Sequence, residues 1–295
     1  MSSILKQPYF SKLTSMGVGG SPSEFHEPGS RDEFCRLLGS LEDPFILGGG
    51  CNTIFPDGEF SRPVISTRKL EELRISEDGR VYAEAGVRLN KIIRKTVNAG
   101  LGGLEKLAGI PGTVGGAAAM NAGNGPDACF GLHTRKLHVV SPGSGVVKTI
   151  RGDEVPWLYR DWNMPGWVVL AIELELEPGE RQELWREMKL YEDRKSKTQP
   201  LVHASAGCMF RNPGDGLSAG KLIQGCNLKG LARGGAEVSR LHANFIVNRL
   251  RSASSDDVKR LMKEVTRQVE EQTGYLLEPE VVFARDHELE TSREY

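Results

Sequence analysis

The sequence contains no apolar stretch long enough to cross a membrane. Its longest apolar runs, such as Trp167 to Ile172, are far shorter than the ~20 residues that a spanning helix needs. The N-terminal residues Met1 to Lys6 also lack the apolar core of a secretory signal. We therefore expect a cytoplasmic protein that does not attach to membranes.

An excess of charge of either sign is missing too. Lys and Arg number 38 against 39 Asp and Glu, which leaves a net charge of −1. This balance argues against the basic surface of a nucleic-acid-binding protein. The five cysteines are widely spaced, with no Cys-x-x-Cys pair and no histidine at zinc-ligand spacing. We expect reduced cysteines and no structural metal.

Glycine, by contrast, is abundant: 35 of 295 residues, or about 12%, against a usual ~7%. The excess is concentrated in two clusters, Leu47–Thr53 and Gly109–Gly123. Glycines adopt positive φ freely and let main-chain N–H groups converge on an anion. Each cluster alone is compatible with a tight turn, and the second also with a close helix contact. Two clusters in one apparent domain favour the cradle of a nucleotide-type cofactor.

Two common nucleotide-binding motifs are not present. The Rossmann pattern Gly-x-Gly-x-x-Gly does not occur anywhere in the chain. The segment Gly216–Leu222 resembles a P-loop, but its spacing is one residue short and Leu222 replaces the Ser or Thr that would bind Mg²⁺. A flavin held by a scaffold other than the Rossmann fold remains compatible with the glycine clusters.

Helix and strand signals are mixed along the chain without a steady βαβ alternation, which predicts an α+β fold. Helices are predicted after the N-cap residues Ser30 and Ser254, and over Arg88–Ala99 and Glu180–Lys197. Gly100 and Gly274 are placed to end two of them. The predicted strands or strand-rich segments are Pro44–Leu47, Val64–Ile65, Val81–Ala85, Leu137–Leu176 and Tyr275–Phe283. Gln199–Pro200 marks the domain boundary, because proline disfavours helix in the preceding residue.

A series of short motifs follows in order along the chain. They are Gly17–Gly20, Leu47–Asn52, Gly109–Gly116, Asn121–Gly123, Tyr159–Arg160, Gln199–Pro200, Ser205–Pro213, Ala219–Ile223, Leu228–Gly230, His242–Asn248 and Leu277–Val281. Any one of them is a weak signal, but this many in one order is specific. From about Leu13 to Phe283 the chain resembles the UDP-N-acetylenolpyruvoylglucosamine reductases, and specifically their shorter subtype.

The resemblance implies a vanillyl-alcohol-oxidase-like FAD-binding domain over residues 1–198 and a smaller substrate-binding domain over 199–295. It implies that NADPH reduces FAD and that flavin N5 passes a hydride to the enolpyruvyl ether of a UDP-sugar, a step in peptidoglycan precursor synthesis. The cofactor-binding residues that it implies are Gly48, Gly49, Gly50, Cys51, Asn52, Thr53, Gly109, Ile110, Gly112, Thr113, Gly115, Gly116, Asn121 and Gly123.

The implied reaction needs three catalytic groups, which we expect to meet in one cleft beside the flavin. Negative charge develops on the enolpyruvyl carboxylate, and the forked guanidinium of Arg160 suits both of its oxygens. Glu280 occupies the family position that holds the enolic oxygen, so we expect it to carry or share a proton when it acts. Cys208 occupies the position of the acid that protonates the α-carbon, where the commoner residue is Ser. A thiol gives up its proton more readily than an alcohol.

Each of these residues also has an ordinary structural interpretation: Arg160 as a surface arginine, Glu280 on the solvent face of a strand, and Cys208 as a small buried hydrophobe. The surrounding motifs favour the catalytic interpretation. The resemblance assigns substrate contacts as well. They are less specific for His242, where relatives often carry Gln, and for Lys221, which could be a solvated lysine. The predicted substrate-binding residues are Tyr159, Arg194, Asn212, Lys221 and His242.

Two other functions compete with this interpretation. One is a related FAD oxidoreductase with a different substrate, and the other is a catalytically silent paralogue that binds a nucleotide-sugar. We expect a small-molecule UDP-sugar as the partner and favour a monomer. The polar tail after Phe283 is expected to fray.

Overall fold

The computed structural model describes residues 8–214 and 216–286, so the predicted fraying of the chain end concerns residues largely outside this range. Within it lie helices and strands of mixed order. The helices are α1 Phe10–Leu13, α2 Arg31–Ser40, α3 Leu89–Asn98, α4 Val114–Ala119, α5 Arg181–Thr198, α6 Ala219–Gly225 and α7 Ser255–Thr273, with short 3₁₀ turns at Glu105–Leu107, Phe130–His133 and Gly152–Glu154. None of the helices in these residues has the length and apolar character needed to span a bilayer.

The strands are short. They are β1 Ser21–Pro22, β2 Phe25–His26, β3 Phe45–Leu47, β4 Thr53–Ile54, β5 Glu59–Phe60, β6 Val64–Ser66, β7 Leu73–Ile75, β8 Arg80–Glu84, β9 Leu101–Gly102, β10 Gly123–Gly125, β11 Ala128–Cys129, β12 Thr134–Val140, β13 Val147–Arg151, β14 Val168–Glu175, β15 Glu177–Pro178, β16 Ala232–Arg233, β17 Ala236–Val238, β18 Ile246–Val247 and β19 Val282–Phe283. The mixture of helices and antiparallel and parallel strands confirms the α+β fold class.

By packing, the described residues form two compact units. Unit 1 contains residues 8–24, 50–62 and 196–286, and unit 2 contains 25–49 and 63–195. The predicted division into an FAD-binding domain over 1–198 and a substrate-binding domain over 199–295 stays a prediction.

Unit 2 is built on an antiparallel sheet in the order β13-β12-β14-β8-β7 and a parallel sheet in the order β2-β6-β3. Helix α3 begins at Leu89 and turns one apolar face, including Ile92 and Ile93, into the core that contains the strands of the larger sheet. The chain leaves α3 at Gly100, whose φ of +73° is the left-handed conformation that ends helices. In the smaller sheet, Leu47 pairs with Ser66, so β3 and β6 end side by side.

Unit 1 gathers three separate stretches of sequence around helix α7. Ser254 caps this helix through a complete capping box with Asp257, and Gly274 ends it at φ +77°. The core against α7 contains Met16, Val18 and Ile54 together with residues beyond 200. The two parallel pairs of this unit, β1 with β5 and β4 with β19, are strands far apart in sequence.

The helix predictions agree with the structure, including the caps at Ser30 and Ser254. The predicted strand over Tyr275–Phe283 is wrong in extent, because only Val282–Phe283 forms a strand. The segment before it makes single main-chain contacts, such as the bridge between Phe210 and Pro279, rather than a continuous ladder. Leu137–Leu176 is strand-rich only at its ends, because residues 152–167 form a 3₁₀ turn and irregular loops.

Candidate active site

The two glycine clusters meet within unit 2. A methyl group built on Gly49 would lie 2.8 Å from Gly112 Cα, and one built on Gly48 would lie 3.1 Å from Thr113 Oγ1. The contact at position 49 requires glycine, because the atom that a side chain would meet there belongs to the Gly112 main chain, which cannot move aside. The structure thus brings together two loops that are about 60 residues apart in sequence.

Main-chain hydrogen bonds fix the second loop. The Gly112 carbonyl accepts from Leu89 N–H at 3.0 Å, and Gly115 N–H donates to the Ala85 carbonyl at 2.9 Å. Gly112 has a φ of +119°, which favours glycine at this turn. Gly109 is equally constrained, because a methyl group there would lie 2.7 Å from Cδ of the buried Lys195.

Beside these loops unit 2 contains a cavity of about 180 Å³. Its lining consists of glycine main chain and of small, aliphatic and aromatic side chains. These residues are Ile46, Gly48, Thr67, Ala85, Gly115, Gly116, Ala119, Trp162, Trp167, Val168 and Val169. Gly115 packs directly against Ala85, since a methyl group built on it would lie 2.7 Å from Ala85 Cβ. Among the described residues, a methyl group on Gly116 would have only Thr113 Oγ1 within 4 Å, so Gly116 leaves main chain accessible to a ligand in this space.

Buried hydroxyl groups without a partner accompany the glycine loops. Among the described residues, three buried side-chain hydroxyls make no hydrogen bond: Thr67 Oγ1 and Thr113 Oγ1 in unit 2, and Ser255 Oγ at the start of α7 in unit 1. Thr113 is the N-cap residue of α4, yet its side chain does not cap the helix. Buried polar groups are normally hydrogen-bonded, so the two threonine hydroxyls are free to bind a ligand. The glycine contacts, the cavity and these hydroxyls together fit a dinucleotide cofactor with both polar and flat apolar parts.

The rest of the first glycine cluster belongs to unit 1. Gly50 has a φ of +68°, and its carbonyl accepts from Ser15 N–H at 2.9 Å. The Ser15 hydroxyl donates to the Ser205 carbonyl at 2.7 Å and lies 3.4 Å from the Cys51 carbonyl. Thr53 begins β4 and pairs with Val282 of β19. This half of the cluster is therefore tied to segments near the end of the chain.

Cys208 and Glu280 lie on neighbouring extended segments of unit 1. Glu280 N–H donates to the Met209 carbonyl at 2.8 Å, and Cys208 forms an isolated bridge with Phe245. The side-chain amide of Asn52 donates to the Glu280 carbonyl at 3.0 Å. Two predicted catalytic residues therefore lie on adjacent extended segments. Asn52, a predicted cofactor-binding residue, holds the main chain of Glu280. Both side chains are partly exposed.

Asn244 fixes the Cys208 segment from the other side. Its side-chain amide donates to the Phe210 carbonyl at 2.8 Å, and its Oδ1 accepts from Phe210 N–H at 3.0 Å. Its own carbonyl accepts from Met209 N–H at 2.9 Å. Three hydrogen bonds from one buried asparagine hold the residues directly after Cys208, so the thiol is mounted on a rigid segment.

Arg160 lies in unit 2, in a tight turn between Leu158 and Asp161. Leu158 N–H donates to the Asp161 carbonyl at 2.8 Å, and Arg160 has a φ of +58°, which is uncommon for a residue with a side chain. Its guanidinium lies 4.9 Å from the centre of the Tyr159 ring. Left-handed backbone at a non-glycine residue persists only where the surroundings hold it, and such residues are frequent in active sites.

Asn121 is one of the groups that hold this turn. Its amide donates to the Leu158 carbonyl at 3.0 Å, and its Oδ1 accepts from Gly131 N–H at 3.0 Å. Trp162 N–H donates to the Ala119 carbonyl at 3.1 Å, which attaches the other side of the turn to α4. The side chain of Asn121 is therefore engaged in support of the Arg160 turn, and its predicted role toward the cofactor stays a prediction.

The predicted substrate-binding residues divide between the units. Asn212, Lys221 and His242 lie in unit 1, where the Asn212 Oδ1 accepts from Ala219 N–H at the start of α6, 3.1 Å away. Tyr159 and Arg194 lie in unit 2 and are exposed. Gly220 approaches the His242 ring, since a methyl group built on it would lie 3.5 Å from Cε1. These roles remain predictions.

His242 is half-buried, and its ring has a defined orientation. Asn244 N–H donates to Nδ1 at 3.3 Å, so the neutral ring carries its proton on Nε2. Burial, and next the positive charge of Lys229, lower the pKa of His242 below its ordinary value. At neutral pH the residue is thus a neutral donor, as a glutamine at this position would be.

Two residues beside the glycine loops were missed by the sequence analysis. Arg68 Nη2 donates to the Gly49 carbonyl at 3.0 Å and so orients the first loop. Thr67 lines the cavity, and its buried hydroxyl has no hydrogen-bond partner among the described residues. The sequence signal that could have pointed to them is the polar run Ser66–Arg68, which directly follows the apolar strand residues Val64 and Ile65. In the structure this run lies where the parallel strands β3 and β6 end.

Comparisons with known proteins agree with this organisation. A family profile described as an FAD binding domain matches residues 22–150, and one described as the C-terminal domain of UDP-N-acetylenolpyruvoylglucosamine reductase matches residues 199–284. These matches define a flavoprotein with an FAD-binding domain followed by a C-terminal domain, which confirms the predicted cofactor class.

Full-length relatives make the family clear. The chain is 38% identical over 276 residues to the UDP-N-acetylenolpyruvoylglucosamine reductase of Syntrophotalea carbinolica, covering 92% of this chain and 91% of that protein. It is 39% identical over 272 residues to the reductase of the same name from Methylococcus capsulatus, covering 91% and 88%. The crystal structure of UDP-N-acetylenolpyruvylglucosamine reductase from Thermus caldophilus matches with a TM-score of 0.79 and 32% identity, over 95% of this chain and 98% of that one. The chain belongs to the UDP-N-acetylenolpyruvoylglucosamine reductase family.

Proposed function

We propose that this protein reduces the enolpyruvyl ether of UDP-N-acetylglucosamine enolpyruvate to UDP-N-acetylmuramate in peptidoglycan precursor synthesis, with Arg160, Cys208 and Glu280 as its catalytic residues. The relatives that carry the reductase name match more than nine-tenths of the chain. FAD, when bound, supplies the hydride for this chemistry after reduction by NADPH. The residues of the chain bind, orient and exchange protons around it.

In the proposal, Arg160 binds the substrate carboxylate as charge develops on it. A guanidinium is always charged at physiological pH and donates two parallel hydrogen bonds to a carboxylate. Because its backbone is held in an uncommon conformation, the side chain leaves the turn in a fixed direction, which limits the reorganisation needed during the reaction.

Cys208 then donates a proton to the α-carbon of the substrate, and Glu280 bonds the enolic oxygen. The observation that carries this assignment is the pairing of their segments, with Glu280 N–H bonded to the carbonyl of the residue after Cys208. The thiol must be protonated to act, since a thiolate cannot donate a proton. A carboxyl group that holds a proton donates a hydrogen bond to the enolic oxygen, whereas a carboxylate would repel the developing negative charge.

The test follows the colour of the flavin. Purified protein saturated with FAD should lose its yellow colour when NADPH is added without oxygen. UDP-N-acetylglucosamine enolpyruvate should restore the colour within one turnover. An FAD oxidoreductase with another substrate would lose colour but not regain it with this substrate. A silent paralogue would bind the UDP-sugar and show neither change.

The proposal also includes a monomer that acts in the cytoplasm on small molecules. Elution on size-exclusion chromatography with light scattering at the mass of one 32.4 kDa chain would support the monomer.

A further inference from the structure

Thr67 is placed beside the start of the first glycine loop. It follows β6, and its N–H donates to the Leu47 carbonyl at the end of β3, 3.0 Å away. Gly48 directly follows β3 and lines the same cavity as Thr67. Thr67 is only 3% exposed, so bulk water does not solvate its side chain.

Other buried threonines of this protein satisfy their hydroxyls internally. Thr14, Thr96 and Thr134 each donate to the carbonyl of the residue four positions earlier, at 3.0 to 3.1 Å. This local bond is the ordinary solution for a buried threonine with no other role. Thr67 and Thr113 depart from it: within residues 8–214 and 216–286 neither hydroxyl has a partner.

The two exceptional threonines lie beside the same loops, whereas the third unpaired buried hydroxyl of the described residues, Ser255 Oγ, lies at the start of α7 in unit 1. Thr113 Oγ1 is the atom that a methyl group on Gly48 would approach, and a methyl group on Gly116 would lie 3.8 Å from it. Thr67, Gly48 and Gly116 all line the cavity of about 180 Å³. Leaving a buried hydroxyl unbonded costs free energy, which a ligand recovers when it supplies the missing partner. Two unbonded hydroxyls, those of Thr67 and Thr113, beside one cavity indicate that the cavity binds a ligand with polar atoms.

We infer that Thr67 is a cofactor-binding residue, whose hydroxyl forms a hydrogen bond with a polar atom of FAD bound against the glycine loops. The inference rests on FAD binding by this domain and does not depend on which substrate is reduced. The hydroxyl can donate and accept, so it can serve a phosphate oxygen, a ribose hydroxyl or a ring nitrogen. The aliphatic and tryptophan side chains of the cavity then exclude water from this bond, which strengthens it.

The experiment compares two substitutions of Thr67 in the full chain. Thr67→Val keeps the shape and removes the hydroxyl, whereas Thr67→Ser keeps the hydroxyl. Apoprotein is titrated with FAD, and the dissociation constant is read from the flavin fluorescence. The melting temperature of each apoprotein is measured in parallel.

We expect Thr67→Val to weaken FAD binding about tenfold. We expect the same substitution to leave the melting temperature of the apoprotein unchanged or higher, because it removes an unbonded polar group. Thr67→Ser should bind FAD as the unaltered protein does. Thr96→Val is the matched control, because its hydroxyl is bonded internally: it should lower the apoprotein melting temperature and leave the FAD dissociation constant unchanged.

Two results would overturn the inference. One is an unchanged FAD dissociation constant in Thr67→Val. The other is a combination of two results: Thr67→Val lowers the apoprotein melting temperature as Thr96→Val does, and Thr67→Ser does not recover the FAD affinity. That combination would make the hydroxyl a structural group. Failure of the unaltered protein to bind FAD is a separate outcome, because it would refute the assignment of the cofactor itself.

Discussion

The side-chain amide of Asn121 donates a hydrogen bond to the main-chain carbonyl of Leu158, 3.0 Å away. This bond attaches the turn that contains Arg160 to the segment directly after α4, the helix that lies within the second glycine cluster. The geometry of the proposed carboxylate-binding arginine thus depends on a residue of the glycine-rich region.

We predict that Asn121→Ala lowers kcat about tenfold, because the turn loses one of the bonds that hold Arg160 in its left-handed conformation. The loss should fall on flavin reoxidation by the UDP-sugar rather than on flavin reduction by NADPH, and stopped-flow absorbance separates the two. Asn124→Ala is the control, since it removes an exposed amide bond to the Lys106 carbonyl away from the turn. A double-mutant cycle with Arg160→Lys tests the coupling. If Asn121→Ala lowers kcat by the same factor in the unaltered protein and in the Arg160→Lys variant, the two residues act independently and the prediction is contradicted.

Cys208 gives a prediction about proton donation. Cys208→Ser should keep measurable turnover, because a hydroxyl can still deliver a proton, whereas Cys208→Ala should lose about a hundredfold. The FAD dissociation constant should be the same in the unaltered protein and in both Cys208 variants. Cys129→Ala removes another partly exposed thiol and should behave like the unaltered enzyme. Unchanged turnover in Cys208→Ala would remove this residue from the mechanism.

Gly49 gives a prediction about cofactor binding. Gly49→Ala places a methyl group 2.8 Å from the Gly112 main chain, so the two loops must move apart. We expect FAD affinity to fall at least tenfold, measured by fluorescence titration of the apoprotein. Gly125→Ala serves as the control, because a methyl group there meets no atom within 4 Å. Tight FAD binding by Gly49→Ala would mean that the contact between the loops does not shape the cofactor site.

His242 gives a prediction about pH. Because folding lowers its pKa below 6.5, the unfolded chain binds a proton at higher pH than the folded protein does. Its contribution to stability is therefore fully present above about pH 6.5. That contribution is lost progressively as the pH falls toward the lowered pKa of the folded state. Urea unfolding at pH 7.5 and 5.5 should show a smaller loss of stability in His242→Gln than in the unaltered protein. An equal loss in both proteins would contradict this prediction.

Local signals in the sequence account well for the helices. The capping box at Ser254 and the glycine at 274 bound α7 at both ends, because caps and C-terminal glycines act within one turn of helix. The strands were harder to predict, since many have two or three residues and pair with distant segments. Val282 pairs with Thr53, and no local pattern around either residue specifies the other.

The candidate site shows the same division. The glycine clusters predicted a cofactor cradle, since their composition reports the need for close main-chain approach. Their mutual contact and the unpaired hydroxyl of Thr67 depend on atoms brought together only by the fold. A threonine after a buried strand looks ordinary in sequence, and only its missing internal hydrogen bond distinguishes it.

The three-part composition of unit 1 affects how the protein can be made. Met16, Val18 and Ile54 emerge from the ribosome long before the helix at 255–273 that completes their shared core. These residues must wait through synthesis of the whole of unit 2, which can fold first because none of its stretches comes from beyond residue 195. A fragment that begins at residue 199 would lack those three buried side chains, so the core around its longest helix would be incomplete, and we expect the fragment to be less stable than the same residues in the full chain.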